Sequence, residues 1–188
     1  MSAVLPPRTR RLGRVQLVLL VAGCILPMIL ATSMYRWQFW VPDSRTWHGE
    51  LIANGQGRLE LGVATTDARW QLLVTDSGSC ASACRQLVYL ARQVNVGLGR
   101  EASRASHALA SATPPDSDYA ATLASEYPQL QRYPLDLQRY RPVAPATAPA
   151  WLWIVDPHGN LVLRYGAGVS GQDVLRDLRH LLKLSKIG

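Results

Sequence analysis

The hydrophobic pattern divides the chain near residue 35. Before that point, residues 15–35 (VQLVLLVAGCILPMILATSMY) run for 21 residues without a charged side chain, and a helix of ~20 apolar residues spans the hydrocarbon core of a bilayer. This predicts one membrane-spanning helix. Gln16 and Pro27 are its exceptions, and a membrane helix tolerates a proline where neighbouring groups adjust. Trp37 and Trp40 follow at the place where interfacial aromatics sit. A cleavable leader shares this layout, but the apolar run exceeds the ~7–15 residues of such a segment, so the reading is an uncleaved anchor.

After residue 35 the period shortens. Residues 36–58 mix aromatics, proline, glycine and polar side chains without a sustained repeat, which reads as a stalk. Residues 69–75 (RWQLLVT) are strand formers that end in the turn cluster DSGS. Cys84, Leu87, Val88, Ala91 and Val94 then recur at helical spacing, giving an amphipathic helix over 81–96 that Gly97 and Gly99 stop. A weaker, alanine-rich strand is expected at 104–111. A short helix at 118–127 is capped by the PPDSD stretch and ended by Pro128. Five prolines between 128 and 150 mark a loop. Residues 151–156 (WLWIVD) and 161–165 (LVLRY), joined by a turn around Gly159, predict an antiparallel hairpin. Val174, Leu175, Leu178, Leu181 and Leu182 form one face of a last helix, with Lys183 and Lys186 suiting its C-terminal end.

The element order is β-α-β-α-β-β-α. It implies an α/β domain whose sheet is parallel in its first half and antiparallel in its second, with helices on both faces. This is the order of the thioredoxin fold. The predicted organisation is a basic tail (1–14), a transmembrane anchor (15–35), a stalk or surface segment (36–58) and a thioredoxin-like domain (59–188).

Charge sharpens the topology. The chain of 188 residues carries a formal +7. Arg8, Arg10, Arg11 and Arg14 precede the apolar run with no acidic residue beside them, and from residue 36 onward sixteen basic side chains face thirteen acidic ones. The positive-inside rule then holds the N-terminus in the cytoplasm and puts the C-terminal domain outside, in the periplasm if the membrane is a bacterial inner membrane. Nucleic-acid binding is disfavoured, because the outer domain is almost balanced in charge and no basic-aromatic motif appears. Neither a phosphate loop, a paired-carboxylate site nor a Ser–His–Asp arrangement is present to support hydrolase or nucleotide chemistry.

Three cysteines are too few for a disulfide-dense scaffold. Cys24 lies in the apolar run and reads as a passive small residue. Cys80 and Cys84 stand where the first long strand passes into the first long helix of the outer domain. Four residues apart, they would be neighbours on one helix face, able to form a disulfide or to hold one soft metal ion between two thiolates. Cys80 is expected in the first helical turn as the more exposed and more acidic thiol, with Cys84 buried behind it. A structural disulfide, or two small core residues, is the alternative.

With its C-x-x-x-C pair in a thioredoxin-like βα turn, its N-terminal anchor and its AspProHisGly hairpin (156–159), the chain resembles the SCO/SenC copper chaperones that assist assembly of the copper centre of cytochrome c oxidase. The likeness spans about residues 49–188. It implies Cys80 and Cys84 as thiolate ligands for Cu(I) or as a redox pair, with the oxidase or another assembly factor as partner. Two departures stand out. Arg85 follows the second cysteine where the family has proline, and residues 147–150 (TAPA) replace the stretch that carries the family's histidine ligand. His158 reads as a turn residue, His180 as an exposed helix residue, His107 as strand packing, and His48 as the one imidazole able to swing toward the cysteines. Pro149 lies near the position where thioredoxin-like proteins carry a cis-proline. Two further functional classes stay open: a general periplasmic thiol–disulfide oxidoreductase, and a non-catalytic tethered interaction module with a structural disulfide.

Overall fold

A computed structural model describes residues 8–37, 47–52, 54–65, 67–145 and 150–185. The chain forms two compact units, Met1–Arg45 and Thr46–Gly188.

Among its described residues the first unit is one helix, α1 (Arg8–Trp37). It contains a single stretch, Gly13–Ser33, long and apolar enough to cross a membrane. Leu17, Leu19, Leu20 and Met28 are exposed along it, as suits a helix whose apolar surroundings are not its own chain. Pro27 lies inside α1. The Thr32 hydroxyl donates to the Met28 carbonyl at 2.7 Å and that of Ser33 to the Ile29 carbonyl, so both side-chain donors are satisfied within the helix, as an apolar medium requires. Trp40 lies outside the described residues.

The second unit is a six-stranded sheet with helices on both faces. Its strands are β1 (Glu50–Leu51), β2 (Trp70–Asp76), β3 (Ala105–Ser111), β4 (Gln131–Pro134), β5 (Ala150–Val155) and β6 (Leu161–Tyr165), in the spatial order β1-β6-β5-β2-β3-β4. β2, β3 and β4 pair in parallel, whereas β5 and β6 run antiparallel to β2 and to each other. Alternation along the strands sorts the core into two layers. Leu72, Val74, Leu152 and Ile154 pack with helices α2 (Ser82–Gly97), α3 (Ser117–Glu126) and α5 (Gly171–Leu184). Leu73, Trp153 and Val155 pack with α4 (Leu137–Val143) and with Leu61 and Val63.

The periodic segments form as their patterns require. Cys84, Leu87, Val88, Ala91 and Val94 make the buried face of α2, and Asp116 caps α3 by accepting from the Tyr119 N–H at 2.9 Å. The alanine-rich strand is genuine: Ala108 and Ala110 share a core layer with the bulky Trp153 and Tyr140, where small partners balance large ones.

Two expectations are corrected. The segment read as a loop over 128–150 holds β4 and α4; Pro134 ends a strand at the sheet edge, where a missing N–H costs no ladder bond. The stalk reading of 36–58 gives way at its C-terminal end, since β1 pairs with β6 and Arg58 is buried, donating to the Thr65 and Asp67 carbonyls at 2.8 and 2.9 Å.

Candidate functional site

β2 ends at Asp76, whose Oδ1 accepts the Gly78 N–H at 2.6 Å, a side-chain turn that reverses the chain at the sheet's rim. The turn is stitched to the segment leaving β3: the Ala112 N–H donates to the Asp76 carbonyl at 3.1 Å and the Thr113 N–H to the Gly78 carbonyl at 3.2 Å. Cys80 follows with φ of +61°, and it is the one non-glycine residue with positive φ among the described residues. Left-handed backbone is unfavourable for a residue with a Cβ and persists where its surroundings impose it. Ala81 is the N-cap of α2 and offers no side-chain cap.

Cys80 and Cys84 are joined in a disulfide with their Cα atoms 5.0 Å apart. Both residues are 0% exposed and belong to the core layer under α2. The expected asymmetry is therefore corrected: Cys80 is not the exposed thiol, and it stands ahead of the helix rather than in its first turn. The left-handed residue bends the chain so that both sulfurs enter the core.

Arg85 closes this loop. Its Nε donates to the Cys80 carbonyl at 3.1 Å, its Nη2 pairs with Asp116, and its guanidinium lies 4.4 Å over the centre of the Tyr119 ring. Asp116 is held below the usual carboxylate range, first by the Tyr119 N–H and also by the Arg85 charge. Burial pushes the Tyr119 phenol up to about 12. In the sequence Arg85 shows only as a departure from a family pattern and Asp116 only as a helix cap. Their meeting depends on the α3 N-terminus lying beside the β2–α2 turn, and no local pattern reports that.

The imidazoles do not gather at the sulfurs. His48, the one imidazole with a conceivable path to the cysteines, is fixed elsewhere: its Nδ1–H donates to Asp177 Oδ1 at 2.8 Å, and Arg176 Nη1 lies 3.1 Å from its Nε2. His107 is buried in β3, and burial, with Arg92 and Arg69 nearby, lowers its pKa. His158 occupies the exposed β5–β6 turn, and His180 is exposed on α5, edge-on to Trp47 with ring centres 5.0 Å apart. Cys24 is a free, exposed cysteine on α1. Among the described residues no group of three His, Cys, Asp or Glu side chains is placed to hold a metal. A reduced pair would offer two thiolates and no imidazole, so the three-ligand copper set implied by the SCO resemblance does not fit these residues. Pro149 lies outside the described residues.

A family model described as "Transmembrane-like, thioredoxin-like, C-terminal domain" matches residues 70–185, and one described as "Transmembrane-like, N-terminal domain" matches residues 6–38. The chain belongs to this transmembrane-like, thioredoxin-like family. It is a single-pass membrane protein by its apolar helix and that N-terminal match. Similar solved structures include copper-bound ScoI from Arabidopsis thaliana, at 11% identity over 63% of this chain and 86% of that one, with a TM-score of 0.48. Copper-bound ScoI from Bradyrhizobium japonicum has 16% identity over 60% and 84%, with a TM-score of 0.42. A DsbF homologue from Corynebacterium diphtheriae has 14% identity over 76% and 97%, with a TM-score of 0.48. No curated protein matches the chain.

Proposed function

We propose that this protein is a membrane-anchored thiol–disulfide factor that works through Cys80 and Cys84 on the periplasmic side of a bacterial inner membrane, in assembly of the copper centre of cytochrome c oxidase. The observation that carries the reading is a disulfide at the strand-to-helix turn of a thioredoxin-like domain, with Cys80 held left-handed; strained backbone of this kind clusters at functional sites. The four arginines before the apolar run of residues 15–35 favour the orientation, and the SCO resemblance supplies the process.

The chemistry is exchange. A client thiolate attacks one sulfur of the disulfide, the S–S bond breaks, and the other sulfur leaves as a thiolate. The client's second thiol gives its proton to solvent and attacks the mixed disulfide, so the client departs oxidised and Cys80 and Cys84 are left reduced. Run in reverse, the reduced pair passes two electrons to a client disulfide and frees the thiols that a copper centre needs. The N-terminus of α2 favours the thiolate in either direction. Reduced, the pair also presents two soft sulfur donors to Cu(I) as cargo.

Deletion of the gene, complemented by wild type, Cys80→Ser or Cys84→Ser, tests this. The expected result is lost oxidase activity restored by wild type alone, with a mixed disulfide to an oxidase subunit or assembly factor trapped by one serine variant. Normal oxidase in the deletion strain, with thiol defects elsewhere, would establish the general oxidoreductase instead. A reduction potential well below about −300 mV would mark a structural bridge.

A further inference from the structure

Both sulfurs are sealed, yet the side chain that closes their loop stands at the surface. Arg85 and Asp116 have 43% and 53% of their side-chain area exposed, while Cys80 and Cys84 have none. From α2, the Arg85 side chain reaches back to the Cys80 carbonyl, across to the Asp116 carboxylate at the head of α3, and over the Tyr119 ring. One of these contacts thus holds the residue whose backbone is left-handed, and the other two anchor Arg85 itself to α3. The loop cannot present a sulfur to an attacking group without moving Cys80, and moving Cys80 pulls its carbonyl off Arg85.

We propose that Arg85 is a positioning residue: with Asp116 and Tyr119 it forms a latch that holds Cys80 in its buried, disulfide-bonded geometry and sets how readily the bond is reached and reduced. The latch deepens the thiol-exchange reading given above and takes its biological meaning from it. Contacts present in the oxidised loop and lost when it opens stabilise the oxidised form, so weakening them raises both the rate of reduction and the reduced fraction at equilibrium. An exposed ion pair is weak and is screened by salt, and the ring contact adds a second small contribution, so the expected effect is a several-fold change in rate.

The test uses the full-length protein in detergent and a neutral phosphine, tris(hydroxypropyl)phosphine, as reductant. The phosphine attacks one sulfur, the S–S bond breaks, and water converts the adduct to phosphine oxide and two thiols; no charge on the reductant confuses the salt dependence. Arg85→Gln and Asp116→Asn should each speed reduction about threefold or more, with Arg85→Lys between wild type and Arg85→Gln. The double variant should be no faster than Arg85→Gln alone, because both changes open one latch. Reduction of wild type should accelerate from 20 to about 500 mM salt as the pair is screened, and this acceleration should vanish in both single variants. The equilibrium constant against glutathione should move the same way as the rate. Asn keeps the cap on Tyr119 N–H, so Asp116→Asn retains α3 and keeps the test decisive if Arg85→Gln fails to fold.

Unchanged rates in Asp116→Asn, or a salt dependence that survives in either single variant, would overturn the latch. Those rates are read on the isolated protein, so they stand whether or not a client exists. Failure of the client trap with a working latch would refute the assembly role alone.

Discussion

The residue scale is where buried hydrogen bonds decide the most. Thr75 is 0% exposed and lies on the face of β2 opposite α2. Its Oγ1 accepts the Trp153 indole N–H at 2.8 Å and sits 3.0 Å from the Tyr140 hydroxyl, whose pKa burial pushes up to about 12, so the phenol keeps its proton. Thr75→Val preserves the shape and removes the oxygen, stranding an indole and a phenol in the core. At about 1–3 kcal/mol per unsatisfied group, urea unfolding should show a loss of about 2–4 kcal/mol, while Thr75→Ser should lose about 1 kcal/mol or less. A second residue ties stability to pH. Asp67 is desolvated, which alone would raise its pKa, yet hydrogen bonds from Arg69 and Gln131 hold it well below the carboxylate range. A group whose folded pKa is depressed contributes stability above its unfolded value, ~3.9, and loses it as pH falls toward the folded one. Asp67→Asn should therefore be about 1–2 kcal/mol less stable than wild type at pH 7, and the gap should narrow steadily below pH ~4 in acid titrations followed by circular dichroism. The cysteine pair was legible at this scale because residue type and spacing suffice to find it. The burial of Cys84 was legible from the helical stripe it opens, but that of Cys80 was not, because it goes with a left-handed backbone in a turn whose partners, on the β3 exit and at Arg85, are tertiary.

At the scale of elements, long periodic segments announced themselves and short ones did not. α2 and the β5–β6 hairpin each repeat an apolar pattern often enough to overrule local noise. β4, of four residues, and α4, of seven, fall inside a proline-rich stretch and complete too few periods to register. β1 is shorter still, and what holds its entrance is a buried carboxylate on a distant helix. Asp177 on the inner face of α5 is 1% exposed. It accepts from the His48 N–H and Nδ1–H at 2.8 Å each, the Gly49 N–H at 3.2 Å and the Tyr165 hydroxyl at 2.8 Å. Burial, with Asp177 alongside, holds the Tyr165 phenol far above its usual pKa, so it remains a donor. In sequence, Asp177 reads as a polar interruption of the Val174–Leu182 stripe; its partners lie 12 to 129 positions away. Asp177→Ala should cost about 3–5 kcal/mol by leaving several donors unpaired at once. Hydrogen exchange should show lost protection at His48 and Gly49 before any change in β2 or β3. A uniform loss across the sheet would mean that Asp177 supports the whole core rather than the entry segment.

For the whole molecule, the question is where the folded domain begins. Hydrophobic periodicity puts the start near Leu59, because nothing in 36–58 repeats. The structure instead places three anchors before that point: His48 on Asp177, Glu50 pairing with Arg164 at 2.6 Å across β1 and β6, and the buried Arg58 holding the 65–67 segment through two carbonyls. None of these is an apolar contact, so a search for hydrophobic pattern passes over all three. A fragment starting at Thr46 keeps every one of them and should unfold in a single cooperative transition, soluble without detergent because α1 is gone. A fragment starting at Leu59 loses β1, the Asp177 donors from residues 48 and 49, and Arg58, which exposes one flank of β6 and leaves buried acceptors unpaired. It should melt at least 10 °C lower, since about 1 kcal/mol shifts a domain of this size by roughly 3–6 °C, or aggregate through the uncovered strand edge. Equal melting temperatures for the two fragments would mean that residues 46–58 are only a tether.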